Sequence, residues 1–406
     1  MSVTVSDASA PQRRLPLPEF VAMLAFLFAT VAFSIDAMLP ALPQIAAELS
    51  PDDVNRAQLI LTSFVAGMGL GTLFAGPISD AIGRKPAMAI GFGIYLAAAA
   101  AALFAHSLET LLVIRFVQGL GAAGPRIVGT ALVRDMYEGR EMARITSFIM
   151  MVFMIVPAVA PSIGLAFIHF MGWQGVFGGF LLFGATGFAW FMLRQVETLP
   201  QAARRPLEFG TLWAGAREVL SDREIVLCTV VISLGFGQMF ALLSSAQQLF
   251  ADTYGTGEQF PLWFAVMALL AALGTFINAR LVMRLGMRRI ARGAYAMQII
   301  VSGLFMLALW TDVLPPALRF PAFFLWAVSL FMMAGLTFGN LNALAMQRKG
   351  HIAGMTASVV SAVSTLLAVV IAAPGGLAFD GTAMPVAVAA FVCSTLAWLL
   401  MGRMMH

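Results

Sequence analysis

Residues 20–43 read FVAMLAFLFATVAFSIDAMLPALP, an apolar run long enough to cross a bilayer that carries a single carboxylate, Asp36. At about 1.5 Å of rise per residue and about 20 residues per crossing, Asp36 falls about two thirds of the way through. A carboxylate at that depth costs about 2.5–3.5 kcal/mol on insertion scales. A chain that keeps one uses it to pair, to bind an ion or to carry a proton, unless the position is a helix end already reached by water.

The surrounding composition is that of an integral membrane protein. Hydrophobic residues make up 60% of the 406 and charged residues only 11%, against about 45–50% and 25% in soluble domains. Basic loops at a membrane face account for the net charge of +4, and no basic run interleaved with aromatics suggests a nucleic-acid partner. Cys228 and Cys393 each sit in an apolar run, which suits packing and not a disulfide framework. There is no phosphate-cradling loop, no catalytic constellation and no His/Cys/carboxylate set for a metal, so neither an enzyme nor a cofactor is expected. Arg13 and Arg14 precede a hydrophobic run of 25 or so residues. That is too long for the apolar region of a signal peptide, so it is expected to stay as the first span with the tail in the cytoplasm.

Working outward, twelve spans are expected near residues 20–45, 57–79, 87–105, 109–133, 144–168, 173–193, 225–250, 260–281, 290–310, 319–346, 352–375 and 384–402. Charge placement tests this division independently. With both termini inside, all but four of the 24 Lys and Arg residues fall in cytoplasmic segments; Arg56 and Arg319 lie outside, and Arg115 and Arg126 lie within the fourth span. The longest polar connection, 195–223, separates a first six-span unit, 19–194, from a second, 224–406, with 1–18 as a cytoplasmic tail. Within the connection, residues 212–220 suit a short helix on the membrane surface or an ordinary linker. The halves echo each other, since the second span leads into SDAIGRK at 79–85 and the eighth into RLGMRR at 284–289. Matching inner turns in two six-span halves suggest a duplicated transporter.

The most specific stretch is GPISDAIGRKP at 76–86. Gly83 permits a tight reversal, and Asp80 can accept hydrogen bonds from Arg84 or from free amides at a helix start. This stretch resembles the loop signature between helices two and three of the major facilitator superfamily. The resemblance implies that Gly76, Asp80, Gly83 and Arg84 form an inner latch that locks the two halves together when the cytoplasmic side is closed. It also implies an all-α integral membrane fold, 12 transmembrane helices in two pseudo-symmetric six-helix bundles around a central cavity.

The fourth span, ETLLVIRFVQGLGAAGPR at 109–126, puts two arginines in a membrane helix. Arg115, Gln118, Ala122 and Arg126 fall on one face, which cannot point at lipid. Counted in depth, Arg115 is within about 6 Å of Asp36, whereas Arg126 is nearer the inner side by about 10 Å. Arg115 is therefore the better partner for Asp36 if the two spans are neighbours. The run 115–122 resembles the superfamily's fourth-helix motif, which implies a proton-coupling role for Arg115 with Gln118. Arg126 is not part of that motif; it contacts an anionic or polar substrate group or balances charge against Asp36.

In the fifth span PAVAPSIG at 157–164 is expected to bend the helix and admit a close neighbour through Pro157, Pro161 and Gly164. It resembles the proline and glycine motif of antiporters, with Ala160 where a glycine is usual. Together with DAMLPALP at 36–43, VRDMY at 133–137 and NLNALA at 340–345, it makes the chain similar to the bicyclomycin and chloramphenicol resistance exporters among the twelve-span drug:proton antiporters. Some of those relatives carry a second acid two turns before the first-helix aspartate, where Phe28 and apolar neighbours stand here. Asp36 is thus the only mid-membrane carboxylate, which makes one-proton exchange the simplest stoichiometry.

In the second half the candidates for a substrate cavity, beside Asp36 and Arg126, are Gln238, Asn340 and Asn342 among Phe236 and Phe240. An amide in a membrane helix seeks a partner or a cavity, and aromatic walls suit bulky, partly apolar ligands. The expected protein is a bacterial inner-membrane exporter of small amphipathic or drug-like compounds by proton antiport, acting as a monomer. The alternative on the same fold is a proton-coupled transporter of a sugar, amino acid or siderophore.

Overall fold

The computed structural model describes residues 15–349 and 352–404; most of the N-terminal tail, with Arg13 and Arg14, lies outside the described residues. In chain order the helices are α1 (Leu17–Asp36), α2 (Leu42–Leu49), α3 (Leu59–Ile82), α4 (Arg84–Ala102), α5 (Leu108–Met136), α6 (Gly139–Met171) and α7 (Gln174–Arg194). After these come α8 (Phe209–Leu220), α9 (Arg223–Gln248), α10 (Phe260–Leu285), α11 (Met287–Thr311), α12 (Pro316–Arg348), α13 (Ala353–Leu377) and α14 (Met384–Gly402). Among the described residues twelve stretches are long and apolar enough to cross a membrane, with α1 and α2 forming one of them. Their ends fall within a few residues of those read from the hydropathy.

One expectation about the first span needs correcting. The apolar run is not a continuous helix through Asp36: α1 stops at that residue, a single 3₁₀ turn spans Leu39–Ala41, and α2 resumes the crossing. Proline is the cause, because a continuing helix needs the amide of Pro40 to bond the carbonyl of Asp36, and proline has none. Asp36 therefore sits at a helix terminus inside the membrane.

α1 to α7 and α9 to α14 form two bundles of six spans each. Their kinship shows in the inner turns. The reversal from α3 to α4 is made by Gly83 (φ 105°, ψ 161°) and that from α10 to α11 by Gly286 (φ 81°, ψ 153°). We call the side holding these two turns the basic end. The bundles meet along α3 against α13 and α6 against α10. At the opposite end they are fastened by uncharged side chains. The Gln58 amide donates to Gln248 and its oxygen accepts from Ser245 at 3.0 Å. Asn55 in turn donates to the carbonyls of Phe379 at 2.8 Å and Leu377 at 3.3 Å. Between the bundles α8 rests on the second one, with Glu218 paired to Lys349 at 3.1 Å, while Trp213 is 74% exposed.

The connection after α7 also binds the first bundle. Glu197 accepts from the backbone amides of Arg84 at 2.9 Å and Lys85 at 3.0 Å, a carboxylate set on the positive pole of α4. A Cβ at Gly83 would stand 2.5 Å from Glu197 Oε2 on a backbone of positive φ. Gly83→Ala is expected to lower stability by about 1–3 kcal/mol, read as a lower Tm of the detergent-solubilised protein. In a Glu197→Ala background the added loss should shrink without vanishing, because the backbone strain remains; an additive pair of losses would remove the carboxylate from this account.

Candidate functional site

Asp36 is 6% exposed, and among the described residues no hydrogen bond or ion pair engages its carboxylate. Its surroundings follow from the wheel of α1. Residues seven apart differ by only about 20°, so Ala22, Ala29 and Asp36 form a column, in which Ala22 is exposed, Ala29 half-buried and Asp36 buried. On one flank of this column Phe28 packs on Gly129 of α5, and on the other Gly164 of α6 meets Ala37. A Cβ at Gly164 would lie 2.3 Å from the Ala37 carbonyl oxygen. The column is thus the strip of α1 that faces the space between the bundles, opening toward the basic end and closing at Asp36. Pro157 and Pro161 lie inside α6, which runs unbroken through both.

Arg115 is fully buried and does not pair with Asp36 in this conformation; no carboxylate among the described residues lies within 4.0 Å of it. Its Nη2 donates to the Ser34 carbonyl at 2.9 Å and its Nη1 to Gln118 Oε1 at 2.6 Å. The guanidinium also lies 4.3 Å from the ring centre of Phe64 and 5.6 Å from that of Phe180. The carbonyl belongs to the last turn of α1, the negative pole of that helix, and aromatic faces add about 1–2 kcal/mol for a desolvated cation. Beside it the Ser34 hydroxyl and the Tyr95 phenol share a hydrogen bond of 2.5 Å. Depth alone sets Arg115 against the right turn of α1, and azimuth decides which group of that turn it meets. Ser34 and Asp36 are about 200° apart on the wheel, so an arginine bound to the Ser34 carbonyl is turned away from the acid.

Arg126 behaves differently. It lies roughly opposite Val113 and Val117, the lipid-facing residues of α5, and it is half-buried, as its neighbour Thr130 is exposed. Its exposure is therefore to the interior space. Among the described residues its guanidinium has neither an ion pair nor a hydrogen bond.

Among the described residues the second bundle lends the site no charge. Phe236 stacks on Phe240 at 6.0 Å and meets Phe338 at 4.1 Å between ring centres; Phe236 and Phe338 are half-buried and Phe240 buried. Gln238 is not a cavity residue in this structure. It lies about 200° around α9 from Phe236, fully buried, and accepts from Ser394 of α14 at 3.0 Å. Asn340 is likewise buried and donates to Asn278 of α10 at 2.7 Å. Asn342 is half-buried and donates to the carbonyl of Phe338 at 2.9 Å.

At the basic end Arg84 is held by two acids of its own bundle, Asp80 at 2.5 Å and Asp135 at 2.7 Å, and by Ser79 at 3.0 Å. Gly76 sits near Ser358 of α13, with 3.9 Å between the serine oxygen and the position of a Cβ. The inner latch implied by the resemblance does not bridge the halves here, because both carboxylates bound to Arg84 come from α3 and α5. Asp135 was visible in the sequence only as part of VRDMY. Tyr95, Glu197, Asn278 and the Gln58–Gln248 contact had no local signal at all, since each acts across more than sixty residues of chain.

Comparison with known proteins agrees with this geometry. Residues 24–373 match the family model described as Major Facilitator Superfamily. The chain is 29% identical to the bicyclomycin resistance protein homolog of Haemophilus influenzae over 85% of each chain. It is 27% identical to the chloramphenicol resistance protein of Pseudomonas aeruginosa over 96% of this chain and 90% of that one. Among solved structures a D-xylose-proton symporter superposes with a TM-score of 0.74 at 12% identity, covering 94% of this chain and 97% of the other. Twelve membrane-crossing stretches in two related bundles and a family match over most of the length lead to one assignment: the chain belongs to the Major Facilitator Superfamily.

Proposed function

We propose that this transporter expels small amphipathic compounds across a bacterial inner membrane in exchange for protons, with its basic end in the cytoplasm. The observation that carries the reading is Asp36, the one mid-membrane carboxylate among the described residues. It is unpaired, and it stands at the closed end of a column that opens toward the basic end. Protonation neutralises it and turns one of its oxygens into a donor, so its charge-assisted hold on a substrate that donates to Asp36 weakens as the proton binds. Opposing affinities in the two states of the cavity then couple the flows. The similarity to bicyclomycin and chloramphenicol resistance proteins supports export of drug-like compounds.

The cycle requires the Gln58–Gln248 contact to part while the basic end closes, with α3 and α13 and α6 and α10 as the sliding pairs. An inward proton supplies about 2.3 kcal/mol per 100 mV, enough for more than a tenfold gradient of a neutral substrate. Arg115 is the positioning residue: by gripping the Ser34 carbonyl it holds the last turn of α1, and with it Asp36.

Efflux and vesicle assays with a drug panel test the reading. Asp36→Asn is expected to abolish concentrative export and substrate-driven proton release while leaving energy-independent counterflow measurable. Retained accumulation with undiminished proton flux would overturn the assignment. Gly164→Ala forces α6 off the Ala37 carbonyl, and is expected to cost about 1–3 kcal/mol of stability and most of the transport at equal expression; wild-type export in that variant would show that the contact is dispensable.

A further inference from the structure

Three ionic groups lie in the mid-membrane part of the first bundle, and they are not equivalent. Arg115, on the same face of α5 as Arg126 but about 16 Å further from the basic end, is fully buried against Ser34, Gln118 and three aromatic rings. Tyr95 is closed off with it through Ser34. That leaves Asp36 and Arg126, both without partners among the described residues and both on inward faces. The second bundle faces them with aromatic rings and with amides already bonded within it, such as Asn340 to Asn278. Phe28 lies against Gly129, which puts α1 and α5 in register. Counting three residues from Gly129 to Arg126 and eight from Phe28 to Asp36 sets the two charges about 8 Å apart along the membrane normal at 1.5 Å per residue. A drug-sized molecule spans that distance.

We propose that Arg126 is a specificity-determining residue. It restricts the substrate to net-neutral molecules that carry a hydrogen-bond donor for Asp36 and an acceptor for Arg126, and it shuts out monovalent organic cations and anions. The inference rests on the proton-exchange reading above and adds the substrate class to it. A monovalent cation entering this space is attracted by Asp36 and repelled by Arg126, so the two largely offset while its desolvation remains uncompensated. An anion meets the reverse pair. Protonation of Asp36 would also strengthen anion binding by removing the repulsion, so anion and proton would bind together, and linkage would then couple them in the same direction instead of in exchange. A neutral dipolar molecule matches both groups at once. When Asp36 takes a proton, the molecule's donor loses a charged acceptor and keeps only a neutral one, which is the antagonism between proton and substrate that exchange requires. Discrimination by an unmatched charge is a repulsive element, and repulsion separates ligands of similar shape that attraction alone does not.

The test uses the purified full-length protein and three probes of defined charge: chloramphenicol (neutral, with hydroxyl donors and nitro and carbonyl acceptors), tetraphenylphosphonium (monocation) and nalidixate (monoanion). Wild type is expected to bind chloramphenicol at least about tenfold more tightly than either ion. Arg126→Gln should weaken chloramphenicol and tighten tetraphenylphosphonium by about tenfold each, the change expected of about 1.4 kcal/mol. Arg126→Lys, which keeps the charge, should retain the wild-type order and serves if the glutamine variant does not fold. A wild type that prefers the cation, or an Arg126→Gln variant that shifts all three probes by one common factor, overturns the proposal. Proton release on chloramphenicol binding separates this idea from the reading beneath it. Release without any dependence of probe order on Arg126 sinks only the charge filter, whereas an Arg126-dependent order without release sinks only the exchange.

Discussion

Hydrocarbon gives a buried charge no water, so every ionic group in a membrane helix is either satisfied by the protein or left facing a polar space. The first bundle does both within a few turns of helix. Arg115 is satisfied through both terminal nitrogens, by a helix-terminal carbonyl and an amide oxygen, and by the faces of aromatic rings. Asp36 and Arg126 are left unsatisfied. Within α1 the contrast is one of azimuth, whereas Arg115 and Arg126 share one face of α5 and differ by about 16 Å in depth: the sealed charge holds the last turn of α1, and the other two are left open.

The two bundles share the glycine reversals at Gly83 and Gly286 and differ in chemistry. The first holds every mid-membrane charge among the described residues. The second answers with amides that bond to each other or to hydroxyls, Asn278 to Asn340 and Ser394 to Gln238, and with the Phe236, Phe240 and Phe338 cluster. Even the arginines after the inner turns have different partners. Arg84 is gripped by Asp80 and Asp135, whereas Arg288 pairs with Glu224 at the start of α9. A charged half beside a neutral one lets the neutral half serve as an adaptable wall, since rings and methionines repack around ligands of different outline.

Much of the architecture is legible in the sequence because a bilayer forces a period and a length on each crossing. Span count, the matching turns and the isolated acid follow from that constraint alone. Directions around a helix are harder to read. Gln238 and Phe236 are two positions apart and were assigned to one cavity, yet they point to opposite sides of α9. Arg115 was matched to Asp36 by depth and instead took the carbonyl of Ser34. The break at Asp36 was available from Pro40, whose missing amide cannot serve the Asp36 carbonyl. Contacts such as Glu197 on the start of α4 join segments more than a hundred residues apart, and nothing local announces them.

The fastening at the end remote from the basic turns joins Gln58 of the first bundle to the Gln248 and Ser245 side chains of the second, and Asn55 to the carbonyls of Leu377 and Phe379. None of these groups titrates in the physiological range or carries charge. Parting them shifts no fixed charge through the membrane field, so this gate is electrically silent and blind to acidity and ionic strength. At about 1 kcal/mol net for each neutral hydrogen bond, its hold is of the same order as the work available from one proton. Under the proton exchange proposed above, such a fastening keeps the far side shut between turnovers and still yields to a single ion.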